Sequence, residues 1–188
     1  MRAIVTSGVV MAALGAQAFA EQPVWGTFNG NLAATKFADV ATFSPGNVAN
    51  LERVWEVRTG DVSDGSGDTP ATVWSTTPIY ANKTLYLGTP FYRILALDPG
   101  SGLERWSYDT KSTLEALTQP ALKNRGVAYW ESGAEGPCEK RILIGTMDAT
   151  LHAVDADTGT PCANFGTNGV LNVNKWNETN DVFPFSLL

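Results

Sequence analysis

The sequence predicts an all-β chain, an incomplete radial β-propeller of about two to three four-stranded blades. Three observations carry that expectation: an internal repeat of 57 residues, matching turn chemistry in both copies, and a length too short to close a ring. With 188 residues, 44% apolar and 17% charged, the chain has the composition of a folded globular protein rather than a disordered one. A net charge of -6 gives no electrostatic footprint for nucleic acid, so no nucleic-acid partner is expected. One His and two Cys are too few for a zinc finger, a His-rich metal centre or a disulfide-dense scaffold.

Residues 1–20 read as a cleavable signal peptide. Met1-Arg2 gives a positive start, residues 3–16 are mostly apolar, and Ala18-Phe19-Ala20 has the small-x-small form of a cleavage site. The apolar stretch is shorter than the roughly 20 residues of a membrane span, which favours export to the periplasm over a retained anchor. Residues 21–188 are then the mature segment.

The first repeated unit opens after Leu51-Glu52-Arg53-Val54-Trp55-Glu56-Val57. That run is similar to the later Leu103-Glu104-Arg105-Trp106 and reads as an orphan outer strand in want of a sheet. Inner strands are expected to begin at Thr76-Thr77-Pro78-Ile79-Tyr80 and at Arg125-Gly126-Val127-Ala128-Tyr129-Trp130, with almost no helix beyond a turn near Asn47. Leu85-Tyr86-Leu87-Gly88-Thr89 and Ile94-Leu95-Ala96-Leu97-Asp98 recur, without gaps, as Ile142-Leu143-Ile144-Gly145-Thr146 and Leu151-His152-Ala153-Val154-Asp155. Gly102 matches Gly159 at the same offset. Each copy is a hairpin ending in an Asp-x-x-x-Gly turn, where Asp98 and Asp155 accept backbone N–H bonds and the glycines take a left-handed conformation. These residues fix shape. Trp106, four residues past Gly102, is placed to pack against a neighbouring unit, whereas the second copy has Ala163 there and Phe165 two residues on.

Export makes a disulfide between Cys138 and Cys162 possible. A two-residue hairpin turn at Asp148-Ala149 would set residues whose numbers sum to about 297 opposite each other, and the two cysteines come near to that register just beyond the ladder. Two inert thiols or a redox pair are the alternatives. His152 alternates outward from the buried positions and reads as a satisfied edge or surface residue. The six tryptophans, 25, 55, 74, 106, 130 and 176, read mainly as packing between sheets. Asn82-Lys83-Thr84 and Asn177-Glu178-Thr179 match the glycosylation triplet, a pattern of low specificity.

Without residues 1–20, the remaining 168 of 188 residues hold fewer than three units of this length, whereas closed propellers run from about four to eight blades. Lone blades would leave apolar faces and strand edges bare. The sequence also stops in the apolar run Asp181-Val182-Phe183-Pro184-Phe185-Ser186-Leu187-Leu188. The expectation is an N-terminal part of a longer propeller, truncated at its C-terminus.

Ala96, Asp98, Gly102 and Trp106 spell Ala-x-Asp-x-x-x-Gly-x-x-x-Trp, which resembles the docking repeat of quinoprotein dehydrogenases that use pyrroloquinoline quinone (PQQ). The runs from Asn50 through Asp61, Thr84-Leu85-Tyr86-Leu87-Gly88-Thr89-Pro90, Lys140-Arg141-Ile142-Leu143 and Thr158-Gly159-Thr160-Pro161-Cys162 resemble the membrane-bound glucose dehydrogenase branch. The resemblance implies an eight-bladed propeller with PQQ on its axis and calcium beside it, oxidising a sugar or alcohol hydroxyl to a carbonyl. An electron acceptor such as a quinone or cytochrome is implied with it. Within Asn124-Arg125-Gly126-Val127-Ala128-Tyr129, Arg125 matches the arginine that binds a PQQ carboxylate, a task suited to its planar fork. The alternative is a surface arginine at a strand start. Ser75 stands where the family often has a cofactor-contacting Glu, and keeps hydrogen bonding without the charge. Ala121-Leu122-Lys123 replaces the adjacent cysteines of the alcohol dehydrogenases, and Gln119-Pro120 lacks a His found in the glucose branch. The catalytic Asp and the calcium ligands are expected beyond residue 188, leaving this stretch inactive by itself. A non-catalytic envelope scaffold that binds protein partners is the alternative function, as is a short protein that closes its ring by oligomerising.

Overall fold

The computed structural model describes residues 25–38, 42–112 and 122–173. The signal-peptide reading, Gln119-Pro120, Trp176, the triplet at Asn177 and the terminal apolar run lie outside the described residues. Ten strands are described: β1 (Thr72–Trp74), β2 (Ile79–Ala81), β3 (Thr84–Gly88), β4 (Arg93–Leu97), β5 (Glu104–Asp109), β6 (Leu122–Asn124), β7 (Ala128–Glu131), β8 (Lys140–Gly145), β9 (Thr150–Asp155) and β10 (Val170–Asn172). The one helical element among the described residues is a single 3₁₀ turn, Val48–Asn50, where the sequence placed a turn.

Two antiparallel four-stranded sheets form, ordered β2-β3-β4-β5 and β7-β8-β9-β10. This is the repeated blade that the 57-residue period predicts, a partial propeller. Alternation along the strands sends one set of side chains between the sheets. Ile79, Ala81, Tyr86, Ile94 and Ala96 of the first sheet meet Val127, Ile142, Ile144, Val154 and Ala156 on the second side in a single buried cluster. The inner strands β2 and β7 begin a few residues later than the sequence indicated, because the residues before them are used differently. β1 and β6 leave the sheets and pair with each other in parallel, Thr72 with Leu122, Val73 with Lys123 and Trp74 with Asn124. Nothing in the repeat pattern announces this link between units.

The hairpin turns explain a one-residue error in the expected register. Gly145 pairs with Leu151 and Arg141 with Asp155, so facing numbers sum to 296 and the loop is three residues, Met147-Asp148-Ala149. Thr146 N–H reaches Thr150 O at 3.0 Å, Ala149 N–H reaches Thr146 O at 3.2 Å, and Ala149 takes φ 59°. The first unit repeats this with Tyr92 at φ 58°. A buried alanine and a buried tyrosine thus hold a left-handed position that normally favours Gly or Asn, which is why the sequence misleads here. The β2–β3 connection is a two-residue turn with Asn82 at φ 49° and Lys83 at φ 55°, the type I′ geometry whose twist suits a hairpin.

Cys138 and Cys162 are joined in a disulfide with their Cα atoms 5.7 Å apart. Together with Ala153, Leu143 and Phe165 they form a second small apolar cluster. Phe165 packs on the disulfide. His152 corrects another expectation. It is only 4% exposed, and its strand β9 lies inside the sheet rather than at an edge. The sequence was right that its nitrogens are satisfied: Nδ1 lies 3.0 Å from Tyr108 Oη across the inter-sheet gap, and Nε2 lies 2.9 Å from Thr150 Oγ1.

Candidate functional site

Each unit is locked to the next by tryptophan on glycine. Gly159 has φ 72°, and a Cβ there would fall 2.6 Å from Trp106 Cε3; Gly102, also at φ 72°, would put one 2.7 Å from Trp55 Cε3. The Trp106 indole N–H donates to Ala156 O at 3.1 Å, and that of Trp55 donates to Pro99 O at 2.9 Å. Both acceptors lie three residues before the glycine under the ring. Residues 51–57 form no ladder among the described residues, yet Trp55 docks as a preceding outer strand would. Asp98 holds its turn by accepting the N–H groups of Gly100 and Ser101, each at 3.0 Å, and pairs with Arg105 at 2.7 Å. Arg105 and the turn donors hold its carboxyl down at about 2. Asp155 is pushed up by burial, but the N–H groups of Cys138, Asp157 and Thr158 and the Thr158 hydroxyl outweigh that and lower it.

The same locking frames a second constellation, where β1 and β6 run side by side. Asn124 is 2% exposed; its Oδ1 accepts the Gly126 N–H at 2.7 Å and its Nδ2 donates to Gly145 O at 3.3 Å. Gly126 closes the turn with φ 131°, and a Cβ on it would meet Thr77 O at 3.0 Å. Arg125 is thereby carried at the tip of a tight turn, fastened on both sides. Its carbonyl accepts the Thr77 N–H at 3.3 Å, while its side chain is exposed and makes no hydrogen bond or ion pair among the described residues. Ser75 and Arg125 each follow the last pair of the β1–β6 ladder, Trp74 with Asn124, and beyond it the Thr77 N–H to Arg125 O bond joins the two segments. Both expected site residues thus lie just past that ladder, and the contact that Arg125 makes with the other segment is with Thr77. Beside Arg125 lies a largely apolar cleft of about 440 Å³ lined by Phe28, Val127, Leu143 and Leu151.

Sequence reasoning missed the residues that build this rim. Thr76 Oγ1 lies 2.6 Å from Gly88 O and 3.0 Å from Asn124 O, tying the end of β3 to β6. The Arg93 and Asp61 pair, at 2.8 and 2.9 Å with a further bond to Thr59 O, straps residues 59–61 onto the first sheet. Asn82 accepts from Lys140 and donates to Asp157, so the first glycosylation triplet is occupied by contacts between units. None of these contacts had a readable signal in the sequence, because each joins residues distant along the chain.

Stacked antiparallel sheets locked by tryptophan on glycine define an arc of a propeller. Residues 25–184 match the PQQ glucose/ethanol/alcohol dehydrogenase β-propeller domain, and the chain belongs to that family. It is 35% identical to the quinoprotein glucose dehydrogenase of Escherichia coli over 79% of this chain and 19% of that protein. It is 30% identical to the quinate/shikimate dehydrogenase (quinone) of Acinetobacter baylyi over 82% of this chain and 21% of that one. The crystal structure of the quinohemoprotein alcohol dehydrogenase from Comamonas testosteroni superposes with a TM-score of 0.63 at 22% identity, covering 81% of this chain and 20% of that chain, and shows the fold. The chain thus spans about a fifth of the length of the curated relatives it matches. The implied PQQ fits what this edge offers: an exposed guanidinium fork, without a partner among the described residues, beside a largely apolar cleft suits a carboxylate on a planar ring system. Among the described residues no cluster of three His, Cys, Asp or Glu is arranged to hold a metal.

Proposed function

We propose that this chain forms one arc of an exported PQQ-dependent dehydrogenase that oxidises a sugar or alcohol hydroxyl to a carbonyl. The observation that carries the reading is Arg125, carried on a turn held by Asn124 and Gly126 at the edge of an apolar cleft, its guanidinium without a hydrogen-bond or ion-pair partner among the described residues. PQQ, when bound, supplies an ortho-quinone that takes up the two electrons of the oxidation. Arg125 would hold one of its carboxylates by charge-assisted hydrogen bonds, and the Ser75 hydroxyl would offer a neutral bond where a carboxylate would repel the anion. Calcium and the proton-abstracting carboxylate belong to parts of the propeller other than this arc. The disulfide supports residence in an oxidising compartment, and the names of the relatives support a quinone or cytochrome as electron acceptor.

The test is PQQ titration of the intact protein, followed by dye reduction with sugars and alcohols in the presence of calcium. Arg125→Ala removes a charge-assisted pair of bonds of about 1.5–3 kcal/mol, so its PQQ Kd rises by roughly ten- to a hundredfold. Absence of PQQ binding by the unmodified protein would defeat the reading.

A further inference from the structure

We propose that Phe28 is a cofactor-contacting residue, carried to the edge of the Arg125 cleft by a clasp of residues 25–30 and giving the ring system of PQQ an apolar face to rest on. The inference rests on the cofactor reading above and adds to it a contact residue and the segment that positions it. The clasp runs along the edges of two neighbouring sheets, where β2 and β7 are the terminal strands. Trp25 exchanges two backbone bonds with Tyr80 of β2, donating its N–H at 2.8 Å and accepting the Tyr80 N–H at 3.0 Å. The next carbonyl, that of Gly26, accepts the Tyr129 N–H of β7 at 3.1 Å. Two consecutive residues are thus pinned to two different units.

The chain then reverses. Gly30 N–H donates to Thr27 O at 3.0 Å and closes a turn with Phe28 and Asn29 at its tip. Gly30 takes φ 88° and lies over the Trp25 indole, an added Cβ coming 3.5 Å from that ring, and the indole packs against the core that the two sheets share. The base of the turn is therefore fixed by the same core that joins the units, and Phe28 is the residue it presents. Phe28 lines the same cleft as Arg125, with Leu143 and Leu151, yet stays 45% exposed. A half-bare phenyl on an anchored turn and an exposed guanidinium place a flat apolar surface and a carboxylate donor in one cleft. PQQ carries the matching groups, a planar ring system bearing carboxylates.

PQQ affinity and Tm of the intact protein test this, without recourse to turnover. Phe28→Ala raises the PQQ Kd about five- to tenfold, while Phe28→Tyr keeps the ring and stays within about twofold of the parent. Both leave Tm close to the parent's. Phe43→Ala deletes another exposed phenyl, one that does not line the cleft, and leaves Kd unchanged. Gly30→Ala tests the clasp, because a Cβ on its left-handed backbone strains the turn while the ring of Phe28 remains. It raises Kd about threefold in the parent and no further in Phe28→Ala, the non-additivity expected when one residue acts through the other. Unchanged affinity in Phe28→Ala, above all with a lowered Tm that marks a phenyl merely packing between blades, overturns this assignment and leaves the Arg125 reading standing. Additive losses in the double variant overturn the role of the clasp. Failure of the parent to bind PQQ overturns the cofactor reading and the assignment with it.

Discussion

At the scale of single residues, what holds the units together is a glycine that cannot carry a side chain. Gly159 combines a left-handed backbone with an indole lying where its Cβ would be, so Gly159→Ala meets both a strained φ, about 1–2 kcal/mol, and overpacking, about 1–3 kcal/mol. Gly60→Ala is the internal control, having φ 77° but nothing within 4 Å. Denaturation of the two variants should show Gly159→Ala losing clearly more stability, and parity between them would refute the docking account. The other residue of consequence is His152. Burial lowers its pKa below 6.5, outweighing the Asp148 carboxylate that pulls it upward. A base whose folded pKa is depressed takes up its proton more readily when unfolded, so its contribution is complete above pH 6.5 and shrinks as pH falls through that value. The lowered carboxyls of Asp98 and Asp155 act in a separate window, below their ordinary 3.8. Between pH 7.5 and 5.5 the intact protein should therefore lose Tm, and His152→Gln should flatten that slope. An identical slope in the variant would contradict the burial argument.

At the scale of elements, the second blade carries a staple that the first lacks. The disulfide closes 24 residues between the approach to β8 and the exit of β9, and Cys138 N–H reaches the Asp155 carboxylate at 2.7 Å, beneath the turn on which Trp106 docks. Loop-closure entropy for that span corresponds to about 3 kcal/mol. Cys138→Ala with Cys162→Ala should lower the denaturation free energy of this region by about that amount, measured by urea titration, and a change below about 1 kcal/mol would mean the blade is held without it. Elements also mark how far sequence can be read. The hairpins, the Asp-x-x-x-Gly turns and the tryptophan docking were legible because each is a local pattern repeated in register, and Trp55 could be matched to Trp106 for that reason alone. The three-residue loop was not, since Ala149 and Tyr92 sit where turn chemistry would call for Gly or Asn. Nor was the inward burial of His152, whose partner Tyr108 comes from the other sheet. Arg125 and Ser75 were suggested by their motif, whereas the β1–β6 parallel pair that sets their two segments side by side is a contact between units that no spacing along the chain encodes.

At the scale of the molecule, the two sheets share one core rather than owning one each. Five buried side chains from the first unit interleave with five from the second, and Ala156 O receives both the Trp106 indole and the Tyr86 hydroxyl. Neither sheet therefore has an apolar interior to fall back on once the other opens, which is how stacked repeats couple neighbour to neighbour. Ile144→Ala removes a fully buried side chain of the second sheet at about 2–5 kcal/mol, and the coupling carries that loss across the interface. Hydrogen exchange on the intact protein reads it directly. Amides of β3 and β4 should lose protection together with those of β8 and β9, in contrast to a surface substitution at Lys123, which changes neither. Loss confined to β8 and β9, with β3 and β4 protected as before, would show that the blades open independently and that the rim at Ser75 and Arg125 is not held by a common core.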